Sequence, residues 1–289
     1  MAETGTRILE TVGAVLRYDV RPGSGADPRP LLLISSHLDA TGFTTLASHF
    51  GDRTVVTYDP RGIGRSTCAD GAAAILPEEH ADDLARLIEA LGAGPVDVFA
   101  SSGGAVNALA LVAARGELVH TLVAHEPPTA AVLPDREAVL GLCADVHTTY
   151  LRDGWGPAMA KFIVLTGREG PFPEEWAEEP APDPAAFGLS TEDDGTRDDP
   201  LFGRNLLGCT SYRPDFAALR SAPTRIVLAR GRESEGMFAA RAAVAVAEGL
   251  GTPPVVFPGH RAGFLGGEYG QQGVPAEFAE TLRGVLAGE

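Results

Sequence analysis

The sequence predicts an α/β sandwich built on a mainly parallel sheet. Short continuous runs of apolar and β-branched residues recur along the chain, as strands buried on both faces require. Segments with helical periodicity lie between them, so strand and helix alternate. With 289 residues, 44% hydrophobic and 21% charged, there is material for a large buried core, and a mostly disordered chain is excluded.

The elements follow in order. Residues 7–11 and 14–20 read as an antiparallel hairpin turning at Gly13. Strands are expected at 31–35, 54–58, 96–100, 121–125, 225–229 and 254–257. Pro77, Glu78 and Glu79 open a helix with a proline and acids in its first turn. Leu84, Leu87, Ile88 and Leu91 follow at i, i+3, i+4 and i+7, and Gly92 and Gly94 close it. A further helix covers 236–249. The last starts near Pro275, with Phe278, Leu282, Val285 and Leu286 on one face. Between about 127 and 223 the alternation fails. Residues 135–165 read as helical, whereas 167–200 are rich in proline, glycine and acid and unsuited to a strand. The expected organisation is a core of 1–126 plus 224–289, with 127–223 a helical cap inserted after the sixth strand. Phe172, Trp176 and Phe187 are candidates for covering a pocket if that cap is a mobile lid.

Composition narrows the function classes. No stretch of about eighteen apolar residues occurs, so no membrane partner is expected. The N-terminal residues carry no basic segment leading into an apolar run. Three scattered cysteines, Cys68, Cys143 and Cys209, suit neither a disulfide framework nor a CxxC metal pair, and point to a cytoplasmic protein. With 23 basic and 39 acidic residues the net charge is −16, which disfavours nucleic acid. Gly62-x-Gly64 lacks the third glycine of a dinucleotide fingerprint, and there is no phosphate loop and no HExxH. No cofactor and no metal are expected; the partner is a small-molecule substrate, and a homodimer is left open.

The most informative segment is Val98-Phe99-Ala100-Ser101-Ser102-Gly103-Gly104-Ala105-Val106. An apolar strand runs into a serine and directly out into a helix. A nucleophile on such an elbow needs small residues two before and two after it, because the turn packs there against neighbouring backbone. Ser102 has Ala100 and Gly104, whereas Ser101 has Phe99 at the earlier position. Ser102 is therefore the candidate nucleophile. His260, in Phe257-Pro258-Gly259-His260-Arg261-Ala262-Gly263-Phe264 after the last strand, is the candidate general base and acid.

Together with Tyr58-Asp59-Pro60-Arg61-Gly62-Ile63-Gly64-Arg65-Ser66, these segments resemble the α/β-hydrolase superfamily in kind and order. Within it the chain is similar to bacterial serine-nucleophile, cofactor-independent esterases and haloperoxidase-like enzymes. The resemblance implies a mostly parallel eight-stranded sheet flanked by helices, a nucleophile–acid–histidine triad and often a helical cap. The usual acid stands in a Gly-x-x-Asp loop after the seventh strand, but here the loop reads Gly231-Arg232-Glu233-Ser234. Some relatives, such as haloalkane dehalogenases, place the acid after the sixth strand, where this chain has Glu126. Glu126 is the first candidate and Glu233 the alternative, with Glu235 or a site lacking an acid also open. The oxyanion donors implied are the backbone N–H of Gly103 and one from the loop after 31–35, where His37 and then Leu38 align.

Other strand-end residues read as structural: Asp59 and Arg61 as braces of the elbow, His125 as a satisfied core histidine. His49, His80, His120 and His147 read as surface residues. Serine rather than carboxylate at position 102 disfavours epoxide hydrolase and haloalkane dehalogenase chemistry. The leading reading is a serine hydrolase cleaving a small-molecule carboxylic ester, lactone or thioester through an acyl-enzyme on Ser102. The same site would make peracids with peroxide in place of water. The alternative is a non-hydrolytic member of the fold, a ligand receptor or an elimination or cyclisation catalyst.

Overall fold

The computed structural model describes residues 4–25, 29–69, 74–173 and 180–288. The strands are β1 Gly5–Thr11, β2 Ala14–Arg21, β3 Leu31–Ile34, β4 Val55–Asp59, β5 Thr67–Cys68, β6 Val96–Ser101, β7 Val119–His125, β8 Arg225–Gly231 and β9 Val255–Phe257. β1 and β2 form the expected hairpin, Thr11 facing Ala14 across Gly13, which turns at φ 74° as glycine readily does. One sheet runs in the order β1-β2-β4-β3-β6-β7-β8-β9, with the two-residue β5 beside β2 as a ninth strand that sequence periodicity could not register. β2 is antiparallel to β1, β4 and β5, and every other pairing is parallel.

Helices cover both faces of the sheet. α1 (Thr44–Ser48) and α9 (Pro275–Ala287) lie on one side, where Phe43, Leu46, Phe50, Phe99, Phe264, Phe278 and Leu282 pack together. α2 (Pro77–Leu91), α3 (Gly103–Arg115), α7 (Phe216–Ser221) and α8 (Phe238–Leu250) lie on the other. There Leu84, Leu87, Ile88, Leu109, Leu219 and Val246 meet the sheet. Buried on both faces, β3 and β6 contain no exposed residue, which is why they read as unbroken apolar runs.

Between β7 and β8 the chain forms α4 (Arg136–Asp153), α5 (Trp155–Gly167), one turn at Pro200–Asn205 and α6 (Leu206–Ser211) before α7. These have a core of their own, with Val139, Cys143, Tyr150, Leu165, Phe202 and Leu206, joined to the main body by Phe238 and Ala242 of α8. An Asp135–Arg241 ion pair ties the same segment to α8. Phe172 is buried in this core and Phe187 is exposed; Trp176 lies outside the described residues. No helix among the described residues is long and apolar enough to cross a membrane.

Two histidines depart from expectation. His80 is buried, its Nε2 2.7 Å from Asn205 Oδ1, because α2 turns that residue away from solvent and toward the inserted segment. His147 is half-buried against the Phe202 carbonyl. His125 is fully buried as expected, but neither ring nitrogen has a hydrogen-bond partner among the described residues. Phe99, Phe257 and Phe278 surround it instead, with ring centroids 6.1, 5.8 and 5.3 Å away. That burial pushes its pKa down, with Glu126 opposing and His260 reinforcing the shift.

A histidine whose folded pKa lies below its unfolded value opposes folding only once the unfolded chain takes up the proton. The cost is absent well above the ordinary value of 6.5 and grows as pH falls below it. His37 and His80 carry shifts of the same sign. Urea denaturation at pH 7 and pH 5 should therefore show a marked loss of stability at the lower pH. His125→Leu should lessen that loss; an unaltered difference between the two pH values would refute the role of His125.

Candidate active site

β6 ends at Ser101 and α3 begins at Gly103, so Ser102 alone makes the turn. Its backbone sits at φ 55° and ψ −129°, a region costly for a residue with a Cβ. The Ser102 N–H donates to the His125 carbonyl at 2.9 Å, which continues the β6–β7 ladder into the turn. The small neighbours have identifiable reasons. Ala100 is fully buried between Ile34 and Ala124 of the adjoining strands. A Cβ on Gly104 would fall 2.6 Å from Ser35 Cα and 2.8 Å from the Ile34 carbonyl oxygen. One on Gly103 would collide with Ser36 Oγ and lie 2.9 Å from Cys209 Sγ. Cys209 belongs to α6, so the inserted segment reaches down onto the elbow.

Glu126 follows β7 directly and is 2% exposed. Like Ser102 it has a positive φ, 49°. Its N–H donates to the Ala229 carbonyl at 2.9 Å, and its Oε1 accepts the Gly231 N–H at 2.8 Å. Gly231 also receives the histidine loop: a Cβ there would lie 2.6 Å from the Gly259 oxygen and 2.9 Å from His260 Cα. Glu126 and the His260 backbone thus meet on the two sides of one glycine. The alternative acids are placed otherwise. Glu233 is exposed, with its N–H on the Gly259 carbonyl, and Glu235 is exposed and paired with Arg230 at 3.1 Å. Ser234, at the usual position of the acid, is fully buried.

His260 Nδ1 accepts the Ala262 N–H at 3.0 Å, so the ring is turned onto its own loop. In the neutral ring this puts the proton on Nε2. Among the described residues no hydrogen bond joins Ser102 Oγ, His260 and Glu126. Their backbones are brought to one end of the sheet with the side chains not yet linked.

On the other side of Ser102, the His37 and Leu38 N–H groups approach Ser35 Oγ at 3.4 and 3.3 Å, so both candidate oxyanion donors from this loop are directed at that hydroxyl. Gly103 is the first residue of α3, where N–H groups lack intrahelical partners. The His37 ring is desolvated and lies within the field of Arg261. Burial and then that charge push its pKa down to about 4, so it is neutral at neutral pH. Asp59 braces the His37 loop rather than the elbow: its carboxylate accepts the Ala40 N–H at 3.0 Å and the Arg65 N–H at 2.7 Å. Arg61 instead grips Asp83 of α2 through two bonds of 2.7 and 2.8 Å.

Sequence reasoning named Gly231 only as the start of the loop after the seventh strand and missed that it takes Glu126 on one side and the His260 loop on the other. That role is visible only once β8 and the histidine loop are in contact. Among the described residues no group of three or more His, Cys, Asp or Glu side chains is gathered to hold a metal ion. A cavity of about 670 Å³ is lined by Gly62, Tyr150, Trp155, Asp193, Asp198 and Asp199 among others, and Ser102 is not among its lining residues.

The family model for the alpha/beta hydrolase fold matches residues 22–153. YraK, an uncharacterized hydrolase of Bacillus subtilis (strain 168), is 32% identical over 286 residues, 97% of this chain and 96% of that protein. A thermophilic esterase from Thermogutta terrifontis shares the fold at TM-score 0.64 and 20% identity, covering 99% of this chain and 98% of the other. A mutant of the N-acyl homoserine lactonase AidH, complexed with N-hexanoyl homoserine, does so at TM-score 0.64 and 19% identity, covering 98% and 96%.

The contact of Gly104 with the end of β3 is backbone against backbone and cannot be relieved by a rotamer change. Gly104→Ala should cost at least about 1–3 kcal/mol of stability, the usual range for overpacking, measured by urea denaturation. A variant as stable as the parent would show that the elbow does not depend on this approach.

Proposed function

The chain belongs to the α/β-hydrolase family, and from that premise we propose that it is a serine hydrolase cleaving a small-molecule carboxylic ester, lactone or thioester. The observation that carries the reading is the strained Ser102 backbone between a buried strand and a helix N-terminus. Strain of this kind persists only where packing enforces it, and it presents the hydroxyl above the sheet. Ser102 Oγ attacks the acyl carbon, and the helix start with Gly103 N–H faces the developing oxyanion. The second donor is the His37 N–H, released from Ser35 Oγ, with Leu38 next to it.

His260 takes the serine proton and returns it to the leaving group. For this its ring leaves the Ala262 N–H, so that Nδ1 carries a proton toward Glu126 and Nε2 turns to Ser102. Catalytic hydrogen bonds are often long or misaligned before substrate binds, so the unlinked side chains are compatible with this sequence of events. Glu126, anchored by Gly231 N–H, then holds the tautomer and stabilises the imidazolium. Water clears the acyl-enzyme, and peroxide in its place would give a peracid. The inserted helical segment, 127–223, serves as the cap, its Cys209 in contact with the elbow. The esterase and lactonase that share the fold are in keeping with ester and lactone substrates.

One observation favours a second, non-hydrolytic reading, in which the fold serves as a ligand receptor or an elimination or cyclisation catalyst. His260 Nδ1 is occupied by a backbone donor where a triad would have it donate to the acid.

A fluorophosphonate probe read by intact mass and peptide mapping, with nitrophenyl acetate turnover in parallel, separates the two. The serine reading expects labelling at Ser102 and turnover abolished in Ser102→Ala; folded protein that neither labels nor turns over would leave the second reading. Glu126→Gln should lower kcat by about 10⁴-fold, as when a triad aspartate becomes an amide. If Glu233→Gln has that effect and Glu126→Gln does not, the acid has been misassigned.

A further inference from the structure

Among the described residues three non-glycine positions hold a positive φ: Ser102, Glu126 and Tyr269. The first two are the candidate nucleophile and acid, whereas Tyr269 has no part in the chemistry above. Its backbone sits at φ 54° and ψ 26°, a conformation rare for a bulky side chain. Gly267 and Gly270, which adopt positive φ readily, stand on either side of it. Tyr269 is 55% exposed, so burial of its ring is not what holds the backbone there. Strained backbones gather at functional sites, and this one needs a reason of that kind.

The contacts of Tyr269 supply it. After His260 the loop folds back on itself: the Gly273 N–H donates to the Leu265 carbonyl and the Gly267 N–H to the Gln271 carbonyl, both at 2.9 Å, and Tyr269 lies at the tip. The tip closes on the segment after β3. Glu268 Oε1 accepts the Thr45 N–H at 2.8 Å. The Tyr269 hydroxyl donates to Asp39 Oδ1 at 2.9 Å and lies 3.2 Å from Thr41 Oγ1. Its ring covers Gly42, where a Cβ would fall 3.2 Å from Tyr269 Cε2 and 3.1 Å from Leu38 Cβ. Asp39 follows Leu38 directly and caps the turn Ala40–Phe43 by accepting the Thr41 N–H at 2.8 Å. At its start the same segment touches the elbow, Ser35 against Gly104 and Ser36 against Gly103. A continuous set of contacts thus runs from Tyr269 through Asp39 and Leu38 to the residues beside Ser102.

Resting on the serine-hydrolase reading, we infer that Tyr269 is a positioning residue: its hydroxyl, bonded to Asp39, holds the loop whose His37 N–H, with Leu38 next to it, is the second oxyanion donor. That loop needs an outer hold. The His37 and Leu38 N–H groups lie 3.4 and 3.3 Å from Ser35 Oγ, longer than an ordinary N–H···O bond, so Ser35 keeps them only loosely. Asp59 grips the loop from within, through the Ala40 N–H. Tyr269 grips it from outside, one residue nearer the donors. Donors stabilise an oxyanion only when they are already in place, and a misplacement of about 1 Å can cost about 10²-fold in rate. Because one loop carries both His260 and Tyr269, the general base and the second donor are tied to the same piece of backbone.

The test uses Tyr269→Phe, which removes one oxygen from an exposed ring, with 4-nitrophenyl acetate as substrate. Its kcat should fall at least about tenfold while KM stays within about threefold of the parent, the mark of an interaction made in the transition state. Fluorophosphonate labelling of Ser102 should slow by a similar factor, since it too develops negative charge on an oxygen in that place. The acid limb of the kcat/KM pH profile should stay where it is, because His260 is untouched. Asp39→Ala should show the same loss and Asp39→Asn, which keeps an acceptor oxygen, a smaller one. Tyr269→Phe combined with Asp39→Ala should lose no more than the worse single variant, as residues that act through one bond do. An unchanged kcat in Tyr269→Phe would overturn the inference. So would losses that multiply in the double variant, or an acid limb that moves, which would tie the tyrosine to His260 instead. If the unaltered protein neither labels at Ser102 nor turns over the ester, the serine-hydrolase reading fails separately, and amide hydrogen exchange decides the contact itself. Faster exchange over residues 37–41 in Tyr269→Phe would then establish the hold on the loop, and unchanged exchange would dispose of it.

Discussion

The backbone of Ser102 is the constraint on which the rest of the site depends. A residue with a Cβ at φ 55° costs of order 1–3 kcal/mol and stays there only if its surroundings leave no other path. Here those surroundings are β6 locked between β3 and β7, the N–H of Ser102 fixed on the His125 carbonyl, and α3 starting at the next residue. The helix can start so soon only because Gly103 and Gly104 let its first turn settle onto Ser35 and Ser36. The small residues around the serine are the condition for the turn to exist.

The same logic extends sideways across the sheet. Glu126 repeats the positive φ of Ser102 one strand over and turns its carboxylate onto the Gly231 N–H. Gly231, lacking a Cβ, admits the loop that carries His260. Parallel strands end at a common edge, and three of them, β6, β7 and β8, thereby deliver the candidate nucleophile, the candidate acid and the seat of the histidine loop to one place. Asp59 extends the arrangement to the other flank by holding the loop of His37 through Ala40.

Electrostatics in this region are set more by burial than by ion pairs. His37 and His125 are kept neutral by loss of water, and the His125 ring packs against aromatic rings with no hydrogen-bond partner among the described residues. Glu126 is buried with a backbone donor. Surface acids, many of them paired with arginines at 2.6–2.8 Å, add to net charge and little to the local potential.

The sequence by itself determined the alternation of strand and helix, the hairpin at Gly13, the elbow at Ser102 and the order of elbow and histidine loop. These depend on local causes: apolar runs buried on both faces, a glycine where φ is positive, small residues where backbones touch. Tertiary structure alone decided what depends on two distant segments meeting. Glu126, Glu233 and Glu235 are equivalent carboxylates in the sequence, and only the docking of β8 buries the first and exposes the others. His80 looked like a surface residue because the segment that covers it lies 125 positions away. What Gly231 seats is undecided until the loop from β9 lies against it, and the turn of the His260 ring onto Ala262 is a choice among rotamers that no residue pattern encodes. Periodicity reports which face a residue presents to the protein; which partner waits there is fixed only when the chain closes on itself.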